Sequence, residues 1–125
     1  MAFITTAEVR EIRNALKKEF PEFRFGVKKR NYHAVDVTVK KGPALKDIPF
    51  DSRGYADINE YHLYRYGKSQ KFLERVVKVI KTAPANAKGG REWYNNSDAM
   101  IDYFDTAFYF SIKVGNYNKG YEVVN

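Results

Sequence analysis

An α+β fold is predicted by three observations. Two stretches carry apolar residues at three- and four-residue intervals, others carry apolar or aromatic residues at every second position, and Pro or Gly stands at the boundaries between them. The expected architecture is an antiparallel sheet of three to four strands with two main helices packed on one face. Thr5-Thr6-Ala7-Glu8 has capping-box spacing, so the Glu8 backbone N–H can donate to the Thr5 hydroxyl while the Glu8 carboxylate accepts the Thr5 N–H. A helix over residues 7–20 follows, with Val9, Ile12, Leu16 and Phe20 on one stripe and Pro21 blocking continuation. The period then changes to two. Phe23, Phe25 and Val27 share one face of a strand and Arg24, Gly26 and Lys28 the other, Lys29-Arg30-Asn31-Tyr32 is the turn, and Val35, Val37 and Val39 mark the returning strand of a hairpin.

Gly42-Pro43 ends that strand, and residues 45–59 read as a packed loop whose Leu45, Ile48 and Phe50 plug a sheet edge. Residues 61–66, rich in Tyr and ended by Gly67, suit a third strand. Residues 69–83 form the second helix, with Phe72, Val76, Val79, Ile80 and Ala83 on one side and Pro84 as its stop. Residues 85–90 make a connector. Residues 106–114 close the pattern as a half-buried strand in which Phe108, Phe110, Ile112 and Val114 alternate with Tyr109, Ser111 and Lys113. Burying each large apolar side chain of these stripes contributes roughly 1.5–3 kcal/mol, and a dozen or so suffice for one core.

One domain spanning residues 1–125 is expected, because two cores of about sixty residues would each be marginal. With 44% apolar and 30% charged residues the chain has both a core and a solvating shell. The absence of Cys excludes disulfides, thiolate metal sites and thiol nucleophiles, and fits a cytoplasmic location. No apolar run is long enough to span a membrane, and Met1-Ala2-Phe3-Ile4 leads into polar residues rather than a signal peptide.

No catalytic motif is present: there is no nucleophile elbow, no phosphate loop and no His-Glu-x-x-His, and His33 and His62 lack ligand-spaced neighbours. No enzyme activity, cofactor or metal is expected. Asp98, Asp102 and Asp105 would align only on a helix, and as turn residues at a strand start they need no metal. Positive charge is the informative feature. Of 22 Lys and Arg against 15 Asp and Glu, 20 and 10 lie up to Arg91, leaving 2 and 5 from Glu92 onward. Lys68, Lys71, Arg75 and Lys78, with Lys81 nearby, form a row opposite the apolar stripe of the second helix, and Lys28, Lys29 and Arg30 flank Tyr32 in the hairpin turn. Such a row is either a solvated helix face or a ribbon for a polyanion, and its combination with the turn and the charge asymmetry points to nucleic acid. Tyr32, Tyr61, Tyr64 and Tyr66 could stack on bases or simply cover a sheet edge. Trp93 and Tyr94, following the connector, are the candidate anchors for a protein partner.

Several short motifs occur in a telling order: Thr5-Thr6-Ala7-Glu8-Val9, Phe20-Pro21-Glu22-Phe23-Arg24-Phe25, Lys41-Gly42-Pro43, Asn95-Asn96-Ser97-Asp98, Asp102-Tyr103-Phe104-Asp105, and the tail from Phe108 to Gly115. From Thr5 to about Tyr121 the chain resembles the large polyvalent protein-associated domain, number 29. That resemblance implies a phage, plasmid or conjugative-element origin, in proteins thought to enter a recipient cell with the invading DNA. It implies no chemistry and no catalytic residues. The chain is expected to be a free-standing, non-enzymatic module that contacts nucleic acid or a host nucleic-acid–protein complex through a basic face. The alternative is a protein-interaction module, such as an anti-defence inhibitor of a host effector.

Overall fold

Thr5 caps α1 (Thr6–Glu19) in a full capping box: the Glu8 N–H donates to Thr5 Oγ1 at 3.1 Å and the Thr5 N–H donates to Glu8 Oε1 at 2.9 Å. The structure, a computed structural model, describes residues 3–90, 93–95, 105–106, 108–115 and 119–124. After α1 come the hairpin strands β1 (Arg24–Arg30) and β2 (Ala34–Gly42), the short β3 (Ala56–Ile58), a 3-10 segment (Leu63–Ser69) and α2 (Gln70–Thr82). Two-residue strands β4 (Tyr94–Asn95) and β5 (Asp105–Thr106) pair with each other, and β6 (Tyr109–Val114) and β7 (Glu122–Val123) complete the order.

The main sheet runs β1-β2-β6-β3, with β7 continuing beside the end of β2. It is mixed rather than antiparallel throughout: β1 is antiparallel to β2 and β3 to β6, but β6 runs parallel to β2. Alternation of side chains reads the same in either direction, so the sequence could not settle strand polarity. Between β2 and β6 lies a long crossover that includes α2, the kind of connection a parallel neighbour requires.

Residues 61–66 do not form the third strand. Asn59 turns the chain by accepting the Tyr61 N–H on its side-chain oxygen, the Tyr66 hydroxyl accepts the Asn59 N–H, and Gly67 adopts a left-handed φ of +48°. The Asp47 carboxylate, reaching in from a distant loop, then accepts the Lys68 N–H at 2.8 Å. These side-chain acceptors favour a wound segment over a ladder. Ala56–Ile58, with the alternation buried, exposed, buried, takes the edge position instead.

The core lies on one side of the sheet. Val27 of β1, Val35, Val37 and Val39 of β2, Phe110, Ile112 and Val114 of β6 and Ile58 of β3 are buried together with Val9, Ile12 and Leu16 of α1 and Leu73, Val76 and Ile80 of α2. Since the strand residues all belong to one alternation set, both helices cover the same face. Phe20 closes one end of the core in an aromatic cluster with Phe23, Phe25 and Phe72.

Candidate nucleic-acid interface

Burial of Val35, Val37 and Val39 beneath the helices turns the other set of side chains outward. Register places Arg30, Ala34 and Tyr109 in one row across this open face, Lys28, Asp36 and Ser111 in the next, and Gly26, Thr38, Lys113 and Asp57 in a third. Lys40 belongs to the same face. It sits at a register shift in the hairpin, and its chain runs back over Gly26, where an added Cβ would lie 2.6 Å from Lys40 Cε. On this face Lys28, Arg30, Asp57 and Tyr109 are exposed, Asp36, Thr38, Lys40, Ser111 and Lys113 are half-buried, and Ala34 is buried.

Four cations, Lys28, Arg30, Lys40 and Lys113, therefore share one surface with two carboxylates. Asp36 is partly neutralised, since it lies 3.6 Å from the Arg30 guanidinium and accepts a 2.6 Å hydrogen bond from the Ser111 hydroxyl. At the Arg30 end Tyr109 is 56% exposed and meets the His33 ring edge-on at 6.2 Å between centroids. Tyr32, 75% exposed, stands at the hairpin tip, where Asn31 and Tyr32 both take left-handed backbone conformations.

The residues singled out from sequence do not all meet. Lys28 and Arg30 lie on the open sheet face, but Lys29 alternates to the helix side, where its ammonium donates to Thr6 Oγ1 at 3.3 Å and sits 5.1 Å from the Tyr32 ring centroid. Lys68 is exposed on the 3-10 segment before α2, and Lys71, Arg75 and Lys78 are exposed on the side of α2 opposite its buried Leu73, Val76, Val77 and Ile80, so the core stands between these three and the Lys28 surface. Arg75 is engaged there: its guanidinium donates to Glu19 Oε1 at 2.6 Å and lies over the Phe20 ring. Lys81 is half-buried, with its ammonium 4.1 Å from the Trp93 ring centroid.

Trp93 itself is 7% exposed and packs edge-on against Phe110, so its indole serves the core rather than a surface anchor. Tyr94 lies in β4 opposite Thr106. Asp98 and Asp102 lie outside the described residues, and Asp105 is in β5. Among the described residues no three metal-ligating side chains cluster, and no helix is long and apolar enough to cross a membrane. Lys113 and Tyr109 are absent from the sequence-derived site. Their outward alternation was readable, whereas the placement of β6 beside β2, which brings them next to Lys28 and Arg30, was not.

The family described as large polyvalent protein associated domain 29 matches residues 4–83. The chain belongs to that family. No curated protein and no solved structure matches it. The match ends near the last turn of α2, short of the residue-121 limit drawn from the short motifs. The large polyvalent protein associated domain 29 segment thus supplies α1, β1, β2, β3 and α2, while β6, the strand between β2 and β3, comes from beyond it.

Proposed function

We propose that this domain is a non-enzymatic module of a mobile element that holds single-stranded nucleic acid on the open face of its sheet. The observation that carries the reading is the convergence of Lys28, Arg30, Lys40 and Lys113 from three adjacent strands onto one sheet face beside the exposed Tyr109 ring. Cations in rows track phosphates, and an exposed aromatic ring offers every base a stacking surface. A face of several strands is too broad to enter a major groove as one helix or a two-stranded ribbon does, and its exposed ring can stack only on a base that is free, which favours a single strand over a duplex.

Neutralising three or four phosphates of a single strand gives a log–log salt slope of about −2 to −3, a loss of about 20- to 50-fold in affinity between about 50 and 200 mM salt. Fluorescence anisotropy with labelled oligothymidylate and oligouridylate measures that slope. Replacing Lys28, Lys40 and Lys113 together with Ala should reduce both the affinity and the slope. The corresponding change at Lys68, Lys71 and Lys78 should leave them nearly intact. If the helix substitutions abolish binding and the sheet substitutions do not, the interface is on the wrong side of the molecule. If neither oligonucleotide binds at low salt, the reading fails altogether.

A further inference from the structure

At the outer edge of the sheet a second surface, separate from the open face, has its own chemistry. Tyr109 donates its N–H to the His33 carbonyl and Gly115 to the Val39 carbonyl, both at 2.8 Å. In the parallel β2–β6 pair this directs the backbone groups of Val35, Val37 and Val39 toward β6. Those of Ala34, Asp36 and Thr38 then face β1, where they oppose Arg30, Lys28 and Gly26. Phe25, Val27 and Lys29 are left with N–H and C=O groups pointing away from the sheet, along an edge with no strand partner among the described residues.

One of these groups is already occupied by a side chain. The Arg13 guanidinium, from α1, donates to the Val27 carbonyl at 2.9 Å. Beside it opens a groove of about 340 Å³ lined by Arg13, Lys17, Pro21, Phe23, Arg24 and Phe25. Every charged residue of its lining is cationic, and Phe23 and Phe25 add aromatic rings. Of the carboxylates nearest in sequence, Glu19 is paired with Arg75 toward α2, and Glu11 and Glu22 are outside the lining.

We infer that the β1 edge and this groove bind an acidic segment of extended polypeptide, added as an extra strand beside Phe25, Val27 and Lys29. The incoming backbone would pair with the outward N–H and C=O groups, and alternate side chains would fall into the groove. Arg13 is the latch. It covers an edge carbonyl until a carboxylate draws the guanidinium into a stronger, charge-assisted bond, which frees the Val27 carbonyl for the new strand. Lys17 and Arg24 complement further acidic positions, and the Phe23 and Phe25 rings receive an apolar one.

The probe is a blocked peptide alternating Glu with Val and Thr, titrated into the full chain while amide exchange is followed by NMR. Binding should slow exchange at Phe25, Val27 and Lys29. Lys17→Ala/Arg24→Ala, which removes no hydrogen bond or ion pair seen among the described residues, should weaken it by about tenfold or more. A fully N-methylated peptide of the same sequence should not bind, because it cannot complete a ladder. Substituting Lys28, Lys40 and Lys113 should leave peptide affinity unchanged, which separates this surface from the sheet face. Equal binding of the N-methylated peptide would reduce the site to unspecific charge attraction and overturn the inference. So would absence of binding, or displacement of the peptide from this groove by an oligonucleotide with the same dependence on Lys17 and Arg24.

Discussion

Cutting the chain after residue 90 retains the whole family-matched segment and removes β6, and this truncation should abolish the folded state. The lost strand is central, lying between β2 and β3. It carries Phe110, Ile112 and Val114, with Phe108 just before it, and all four are 9% exposed or less. At about 1.5–3 kcal/mol for each buried side chain, about 6–12 kcal/mol of apolar burial disappears, an upper figure because unfolded chains keep part of it. Domains of this kind have about 5–15 kcal/mol of net stability in total. The truncation also strips ladder partners from Val35, Val37 and Val39 and separates β3 from the sheet. Circular dichroism during urea unfolding is the assay, and the truncated chain should show no cooperative transition. The gentler Ile112→Ala should keep the transition with an unchanged denaturant slope while losing about 2–5 kcal/mol. A cooperative transition in the truncated chain, with a slope close to that of the full chain, would refute the reasoning and make β6 an accessory to a core complete without it.

Thr5→Ala should lower stability by about 1 kcal/mol, read from the urea midpoint, because it removes the acceptor of the Glu8 N–H at the start of α1. Gly115→Ala should cost more than about 1 kcal/mol by the same measurement: φ there is +91° and a Cβ would strike the Gly54 carbonyl oxygen. Burial pushes the Tyr121 phenol up to about 12, with its hydroxyl donating to the Pro43 carbonyl at 2.6 Å. An unfolded phenol ionises near about pH 10, so the stability it confers is complete below that pH and is lost as pH rises toward about 12. Tyr121→Phe should flatten that alkaline decline. At the acid end, the backbone N–H groups of Arg53 and Tyr55 hold the Asp51 carboxyl below its usual range. Its contribution is present above about pH 4 and fades as pH falls through the lowered value, and Asp51→Asn should remove that dependence from the acid limb of the stability curve.

Local signals in the sequence were strong where one segment determines its own state. The Thr5–Glu8 capping box and the Val35–Val37–Val39 alternation each describe an element whose buried face follows from its own residues, and the period of the second helix was equally plain, although its most buried side is Leu73, Val76, Val77 and Ile80, with the expected Phe72 and Val79 only half-buried. Signals failed where a distant group decides. The tyrosine-rich segment has strand-forming residues, but the Asp47 carboxylate and the turn at Asn59 wind it into a 3-10 segment. Lys28 and Lys29 are neighbours in sequence, so a tally of charge puts them together, yet the pleat sends one to the open face and the other to α1. Trp93 looked like an exposed anchor because a polar connector precedes it, whereas Phe110, contributed by β6, buries it. Arg13, Lys17 and Arg24 could not be grouped at all from spacing, since their convergence depends on how α1 lies against β1.

Amide chemical-shift mapping during titration with an unlabelled single-stranded oligonucleotide tests the nucleic-acid reading most directly, because it locates contact without altering any residue. The largest changes are expected at Lys28, Arg30, Lys40, Tyr109, Ser111 and Lys113, with α2 nearly silent. Changes confined to Lys71, Arg75 and Lys78, with the sheet signals unmoved, would contradict it.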